Sequence, residues 1–417
     1  MGDWLATQAD ERGGSLFVED GDGSLSYGRV EEMVAARARR LGDRSGTQVV
    51  VRPRLVGEAV VELLAASRSG AVVVVIGPDR PDGEDLAQRA AADTRPAHTI
   101  LFTSGSTGSP KGVRIGSTNW EAAAEASSTH LGHGPGDRWL CPLPLYHMSG
   151  LGALYRVLLT GGTLVLAPEL KHLSHGMPGA QWASLVPTQV HRLLAQGGSL
   201  QAGTKILVGG GPAPPGLVER AREAGLVVLP TYGMTETTGQ VATALTPGGA
   251  LRPLPGVKIA IGAGGWIGIG GPTVMLGYVG EADEDGWFQT RDRGRLDGDG
   301  SLLVEGRADR VIITGGEKVD PDRVAAILAE HPLIDEVFVF GQPDPEWGEV
   351  VVATYLGRAE PTELIGEEFP ALPAHARPKR WRRVSRLPRN ELGKVDPEAL
   401  QGLIAQEVTR DPDAGSA

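Results

Sequence analysis

The sequence predicts an α/β protein: a large N-terminal domain of parallel α/β sheets with a β-rich subdomain, followed by a small α+β C-terminal domain. Three observations carry this reading. Up to about residue 250, short β-branched runs alternate with amphipathic helical stretches, the pattern of parallel strands covered by helices on both faces. From about residue 251 the runs are short, glycine-punctuated and without intervening helices, which favours an antiparallel region. After Arg307 a compact succession of strands and one helix follows. A chain of 417 residues is too long for one ordinary core, so more than one domain is expected.

Taken in order, the valine-rich runs at 49–51 and 71–76 read as strands, with helical apolar spacing between them at 57–69. Residues 99–102 form another buried strand. Helices are expected at 118–130, 150–160, 187–196 and 214–224, with strands at 163–166, 206–208 and 226–229. In the β-rich region, 257–261 and 266–269 are strands. The last domain should contain a strand at 310–314, a helix at 320–330, strands at 336–341 and 349–356, and a final basic strand. There Trp381, Val384 and Leu387 are interleaved with arginines, which reads as an exposed strand and a solvated basic face rather than a nucleic-acid or membrane surface. The expected boundaries are 1–308 for the N-terminal domain (β-rich part about 251–308), 309–405 for a mobile C-terminal domain, and a disordered polar tail at 406–417.

Composition narrows the function classes. A net charge of −11 opposes general nucleic-acid binding, which requires a basic surface. No uncharged apolar run reaches membrane-spanning length, and the start of the sequence shows neither a basic leader nor an apolar one. The single cysteine, Cys141, cannot form an intramolecular disulfide and reads as a small buried apolar residue. A cytoplasmic protein without membrane insertion is expected. The sequence admits a homodimer without requiring one.

The chemistry is concentrated in glycine- and hydroxyl-rich segments at strand ends. Residues 103–112, Thr-Ser-Gly-Ser-Thr-Gly-Ser-Pro-Lys-Gly, combine a pliable backbone with the hydroxyls of Ser104, Ser106 and Thr107 and the ammonium of Lys111, a donor set suited to phosphate oxygens. Pro110 stands where a kinase-type P-loop needs its second glycine. The glycines at 209–211 end a strand and let a flat base or ribose lie against bare backbone. Residues 229–236 end another with Tyr232, Gly233, Thr235 and Glu236: an aromatic for stacking, a hydroxyl for phosphate, and a carboxylate for Mg²⁺. Asp292 offers a carboxylate to ribose hydroxyls, and Arg307 a guanidinium to the same sugar or a phosphate. Each alone has an ordinary structural explanation, as a turn, a cap or a surface ion pair.

Together, in this order, these segments resemble the acyl-adenylate-forming superfamily of acyl-CoA synthetases, peptide-synthetase adenylation domains and luciferases. The resemblance adds residues 306–319 as a hinge motif and 388–394 as a catalytic-lysine motif, and covers about residues 20–405. One departure is Arg291, where the family has glycine in a Thr-Gly-Asp segment. What the resemblance implies is specific. Thr103, Ser104, Ser106, Thr107 and Lys111 belong to the pyrophosphate-side loop. Gly210, Gly211 and Tyr232 line the adenine, and Gly233 belongs to the same nucleotide site; Thr235 and Glu236 attend phosphate and Mg²⁺; Asp292 and Arg307 hold the ribose. Asp309 is the hinge, and Lys394 bridges the carboxylate and the α-phosphate as they react. After hinge rotation Gly315 and Gly316 shape a channel for the thiol of coenzyme A. ATP, Mg²⁺ and coenzyme A are the implied cofactor and cosubstrates, with a small carboxylic acid as the partner.

The acid is read from 142–151, 184–194, 209–215 and 232–240, which look most like o-succinylbenzoate–CoA ligases of menaquinone or phylloquinone synthesis. That substrate retains a benzoate carboxylate, for which His147, Gln189 and Arg192 are candidate partners. Two alternatives stand beside it. One is a ligase for another fatty, aryl or amino acid, with transfer to coenzyme A or a carrier protein. The other is a nucleotide sensor without turnover, against which the presence of both Glu236 and Lys394 argues.

Overall fold

The computed structural model describes residues 3–103, 110–167, 179–195, 200–211, 213, 215–307, 310–365, 369, 371–389 and 395–410. The chain divides into two compact units. One comprises Met1–Gly210, Val218–Thr290 and Leu296–Leu303, and the other Gly211–Leu217, Arg291–Arg295 and Val304–Ala417.

The first unit is built on two large mixed sheets. In the nine-stranded sheet the order is Arg252–Pro253, Gly239–Thr243, Val227–Met234, Lys205–Val208, Trp182–Leu185, Arg138–Cys141, Thr163–Leu166, Leu16–Asp20 and Gly23–Ser26. From Val227–Met234 to Leu16–Asp20 all neighbours are parallel. Strands such as Thr163–Leu166 and Trp182–Leu185 are buried at every position, as two-sided cover requires. The five-stranded sheet has the order Gly277–Tyr278, Lys111–Ile115, Thr99–Thr103, Val72–Val75, Gln48–Val51. Its first two strands run antiparallel. The fold class is therefore as expected, with antiparallel strands at the sheet margins that the repeating strand–helix pattern did not announce.

Helices fill the faces and stop where the chain permits it. Ser26 caps Tyr27–Leu41 by accepting the Arg29 N–H. Met148–Thr160 ends at Gly161, whose φ of +79° suits a residue without Cβ. The core between helices and sheet contains the stacked rings of Trp120 and Tyr155, with centroids 4.3 Å apart, and of Trp139 and Trp182, 5.3 Å apart. Cys141 is fully buried there, and burial pushes its thiol up to about 11. Lys258–Ile261, Trp266–Gly270, Trp287–Leu296 and Leu302–Arg307 form a four-stranded sheet in that order, the β-rich region expected from residue 251.

The second unit has its own sheet, ordered Glu317–Val319, Ile312–Thr314, Gly348–Gly357, Ile334–Asp344, with Arg380–Arg383 parallel to Gly348–Gly357. Asp320 caps the helix Pro321–Leu328, whose proline stands in its first turn. Two expectations need correction, the exposure of the basic strand and the start of the tail. The basic strand is not exposed: Trp381, Val384 and Leu387 are all buried, and Trp381 stacks on Phe369 at 5.7 Å while meeting the edge of Tyr355. The arginines beside it find carboxylates, Arg380 on Asp344 and Arg383 on Glu360. The strand expected at 310–314 is present as Ile312–Thr314, and it pairs in a hairpin with a strand not anticipated, Glu317–Val319. The last helix runs from Pro397 to Arg410, into the stretch read as a tail.

Candidate active site

Parallel strands place their carboxyl ends on one edge of a sheet, and ligands gather there. The neighbouring strands Arg138–Cys141, Trp182–Leu185 and Lys205–Val208 are each followed by a segment singled out in the sequence, and Val227–Met234 ends in one. These segments are 142–151 with His147, 186–194 with Gln189 and Arg192, Gly209 to Gly211, and Tyr232 to Glu236. A Cβ on Gly210, whose φ is +80°, would lie 3.5 Å from Val186. A Cβ on Gly239 would lie 3.7 Å from the sulfur of Met148. The sheet thus draws these segments together although they are spread over a hundred residues.

The Tyr232–Glu236 segment is shaped by its backbone. Val227–Met234 pairs with Gly239–Thr243 through an irregular register between Tyr232 and Gly233. Any Cβ at Gly233 would overlap the Gly239 carbonyl, so the close approach requires glycine. A short 3₁₀ turn, Thr235–Thr237, then presents Thr235 and Glu236, both half-buried. Thr238 follows at φ +50°, a left-handed conformation unusual for a β-branched residue. Its hydroxyl donates to the Thr273 carbonyl at 2.7 Å, which helps hold it there. Beneath the turn, Arg156 donates to Ser127 at 2.9 Å and to the Gln240 side chain at 2.8 Å. Gln240 in turn donates to Thr243, whose hydroxyl meets that of Thr231 at 2.7 Å.

Thr103 and Lys111 face each other across the antiparallel pair Thr99–Thr103 and Lys111–Ile115. Ser104, Ser106 and Thr107 lie outside the described residues, in the connection between these two strands. The Lys111 ammonium sits 2.9 Å from Glu281 and 4.4 Å above the ring of Tyr278. The Tyr278 hydroxyl donates to Glu236 Oε1 at 2.9 Å. Burial first, and then the charge of Glu236, raise the pKa of this phenol, which keeps it a donor. Sequence reasoning did not single out Tyr278: it lies 42 residues from Glu236, and long-range contacts bring the two together, the pairing of Gly277–Tyr278 with Lys111–Ile115 and the Met275 N–H on the Glu236 carbonyl.

The candidate acid-binding residues differ in their surroundings. His147 is half-buried at the start of helix Met148–Thr160, with its ring 4.5 Å from Tyr146. Arg192 is exposed on helix Pro187–Ala195. Gln189 uses its side-chain oxygen to accept the Val186 N–H at 3.0 Å, a cap on its own helix. In the second unit, Asp292 is buried on Trp287–Leu296, and Arg307 is exposed at the end of the neighbouring strand Leu302–Arg307. Gly315 and Gly316, at φ +59° and +83°, are the two residues of the hairpin turn, a geometry that favours glycine at both positions. Asp309 and Lys394 lie outside the described residues.

Among the described residues no three His, Cys, Asp or Glu side chains converge as a metal site. A single carboxylate, Glu236, fits Mg²⁺ as nucleotide sites hold it, where phosphates and waters supply most ligands. No helix of the described residues is long and apolar enough to cross a membrane.

Residues 82–279 match the AMP-binding enzyme family, and residues 323–394 match the AMP-binding enzyme C-terminal domain. The chain belongs to the AMP-binding enzyme family. Its relatives include the 2-succinylbenzoate–CoA ligase of Bacillus licheniformis, 39% identical over 331 residues, covering 72% of this chain and 68% of that one. They also include a probable 2-succinylbenzoate–CoA ligase of Mycobacterium tuberculosis, 37% identical over 336 residues, covering 74% and 85%. Among solved structures, the o-succinylbenzoate CoA synthetase of Bacillus subtilis in complex with the acyl-adenylate intermediate OSB-AMP aligns with a TM-score of 0.82 at 27% identity, covering 96% of this chain and 98% of that one. The same synthetase with ATP and magnesium ion aligns with a TM-score of 0.81 at 27% identity, covering 96% and 99%.

Proposed function

We propose that this chain is an ATP-dependent, AMP-forming acid–CoA ligase that converts o-succinylbenzoate to o-succinylbenzoyl-CoA in menaquinone or phylloquinone synthesis. The observation that carries the reading is the likeness, over 96% of this chain, to a synthetase holding its own acyl-adenylate.

A carboxylate is a poor electrophile, so the reaction proceeds in two halves. The succinyl carboxylate attacks the α-phosphorus of ATP, the bond to the β-phosphate oxygen breaks, and pyrophosphate leaves. The coenzyme A thiol, losing its proton, then attacks the acyl carbonyl, and AMP leaves with the electron pair of the broken acyl–oxygen bond. Two anions must meet in the first half, and cationic groups offset their repulsion. In this reading Thr103, Ser104, Ser106, Thr107 and Lys111 hold the departing phosphates, and Gly210, Gly211, Tyr232 and Gly233 flank the base. Thr235 contacts phosphate, and Glu236 helps to hold Mg²⁺. Asp292 and Arg307 take the ribose, and Lys394 supplies a cation for adenylation. Asp309 acts as the hinge, and Gly315 and Gly316 serve the thiol half. Magnesium, when bound, draws charge from the polyphosphate and so eases the approach of the carboxylate.

The remaining benzoate carboxylate is assigned to Arg192, with His147 as the second candidate. Gln189 is the weaker candidate because its oxygen already caps a helix. The enzyme is placed in the cytoplasm, acting on small molecules without nucleic acid or membrane insertion, and a homodimer is compatible with this role. The test is product identification. With ATP, Mg²⁺ and o-succinylbenzoate the enzyme should exchange labelled pyrophosphate into ATP, and added coenzyme A should yield the thioester by mass. Exchange without any thioester would refute the coenzyme A assignment.

A further inference from the structure

Tyr278 touches both charged ends of the nucleotide machinery in the first unit. Its hydroxyl is bonded to Glu236, and one face of its ring lies under the Lys111 ammonium. The backbone that carries it is held at successive points. The Met275 N–H donates to the Glu236 carbonyl at 2.9 Å, and the Leu276 N–H to the Arg114 carbonyl at 2.9 Å. Gly277 and Tyr278 pair with Arg114 and Val113. The Val279 N–H reaches the Gly112 carbonyl at 2.7 Å, and the Gly280 N–H reaches Asp93 at 3.0 Å. Arg114, 1% exposed, binds Asp283 and lies 3.8 Å from Asp93, while Arg95 reaches the Tyr278 carbonyl at 3.2 Å. A side chain on such a framework delivers its hydroxyl to a fixed place.

We propose that Tyr278 is a positioning residue for adenylation, acting through Glu236. A carboxylate with one oxygen committed to a fixed donor presents its other oxygen in a defined direction, as groups behind metal ligands commonly arrange. The same side chain thus meets Glu236 through its hydroxyl and Lys111 through a ring face. Lys111 also rests on Glu281, in a pair exposed at both ends and therefore weak enough to be exchanged for phosphate. The inference rests on the nucleotide role given to Glu236 and Lys111 above.

Tyr278→Phe tests it by removing one oxygen while keeping the ring under Lys111. The pyrophosphate-exchange rate should fall about tenfold to hundredfold with the KM for the acid little changed. Mn²⁺ affinity, read by electron paramagnetic resonance with a non-hydrolysable ATP analogue bound, should weaken by about tenfold. Thioester formation from supplied acyl-adenylate should be unchanged, and the melting temperature should stay within about 2 °C. In a Glu236→Gln background the same substitution should add no further loss, because its effect passes through that carboxylate. Unchanged Mn²⁺ affinity and exchange would overturn the proposal. So would equal loss in both half-reactions, or full additivity with Glu236→Gln. If the wild-type protein exchanges no pyrophosphate with any acid, the functional reading falls, and the Mn²⁺ titration still decides the role of Tyr278.

Discussion

Acidifying the protein from pH 7 to pH 5 should cost it stability through two buried histidines. His98 is 3% exposed, its ring nitrogens 2.8 Å from the hydroxyls of Ser67 and Thr99, and packed between Trp4 and Tyr155. Both hydroxyls can accept as well as donate, so hydrogen bonding does not forbid the imidazolium; burial does, and it pushes the pKa down to about 4. His133, 4% exposed against Trp139 and Trp182, is pushed down to about 3 by burial and then by the Arg156 charge. The unfolded chain, with an ordinary histidine pKa near 6.5, therefore binds more protons than the folded one in this window. Stability falls as the pH drops below about 6.5, until the folded-state pKa values are passed. Integrating from pH 7 to pH 5 gives about 2 kcal/mol for each histidine. Asp93 does not interfere: its carboxyl is held low by Arg95, so its contribution is present above the unfolded carboxylate pKa and is lost only at lower pH. Urea melts of wild type and His98→Gln at the two pH values provide the assay. The variant should be less stable at pH 7, yet lose about 2 kcal/mol less than wild type on acidification. Equal losses in the two proteins would refute the argument.

Three further outcomes are expected. Lys394→Ala should nearly abolish adenylation yet spare thioester formation from supplied acyl-adenylate; measuring the two half-reactions separately checks this, and equal loss in both contradicts it. Arg192→Ala should raise the KM for o-succinylbenzoate at least tenfold, the scale of a lost charge-assisted contact, with the KM for ATP little moved; steady-state kinetics with each substrate varied will tell. The thiol of Cys141, fully buried with its pKa pushed up to about 11, should resist iodoacetamide at pH 8 in the native protein and react fully in denaturant.

Much of the fold could be read because its information is local. Apolar runs such as those at 72–75 and 163–166 have nowhere to go but a two-sided core, and the glycines at 209–211 and 233 fall where strands end. What could not be read depends on residues distant in sequence. Nothing in Lys-Gly-Val-Arg-Ile announces that 111–115 returns antiparallel to 99–103, because the connection is longer than a two-residue hairpin turn and leaves no compact turn signal. Trp381 looked exposed because arginines surround it, but its burial is decided by Phe369 and Tyr355, and its arginines are satisfied by Asp344 and Glu360. The partnership of Tyr278 with Glu236 is likewise a product of sheet pairing, and no residue pattern near either position encodes it.

The most direct test of the function is ATP-dependent pyrophosphate release across a panel of carboxylic acids, each with and without coenzyme A. The account predicts that o-succinylbenzoate is turned over selectively, and that sustained turnover requires coenzyme A. Preferred turnover of another acid would contradict the substrate assignment while leaving the chemistry in place. No release with any acid, despite tight ATP binding, would contradict the enzyme itself and favour a nucleotide sensor.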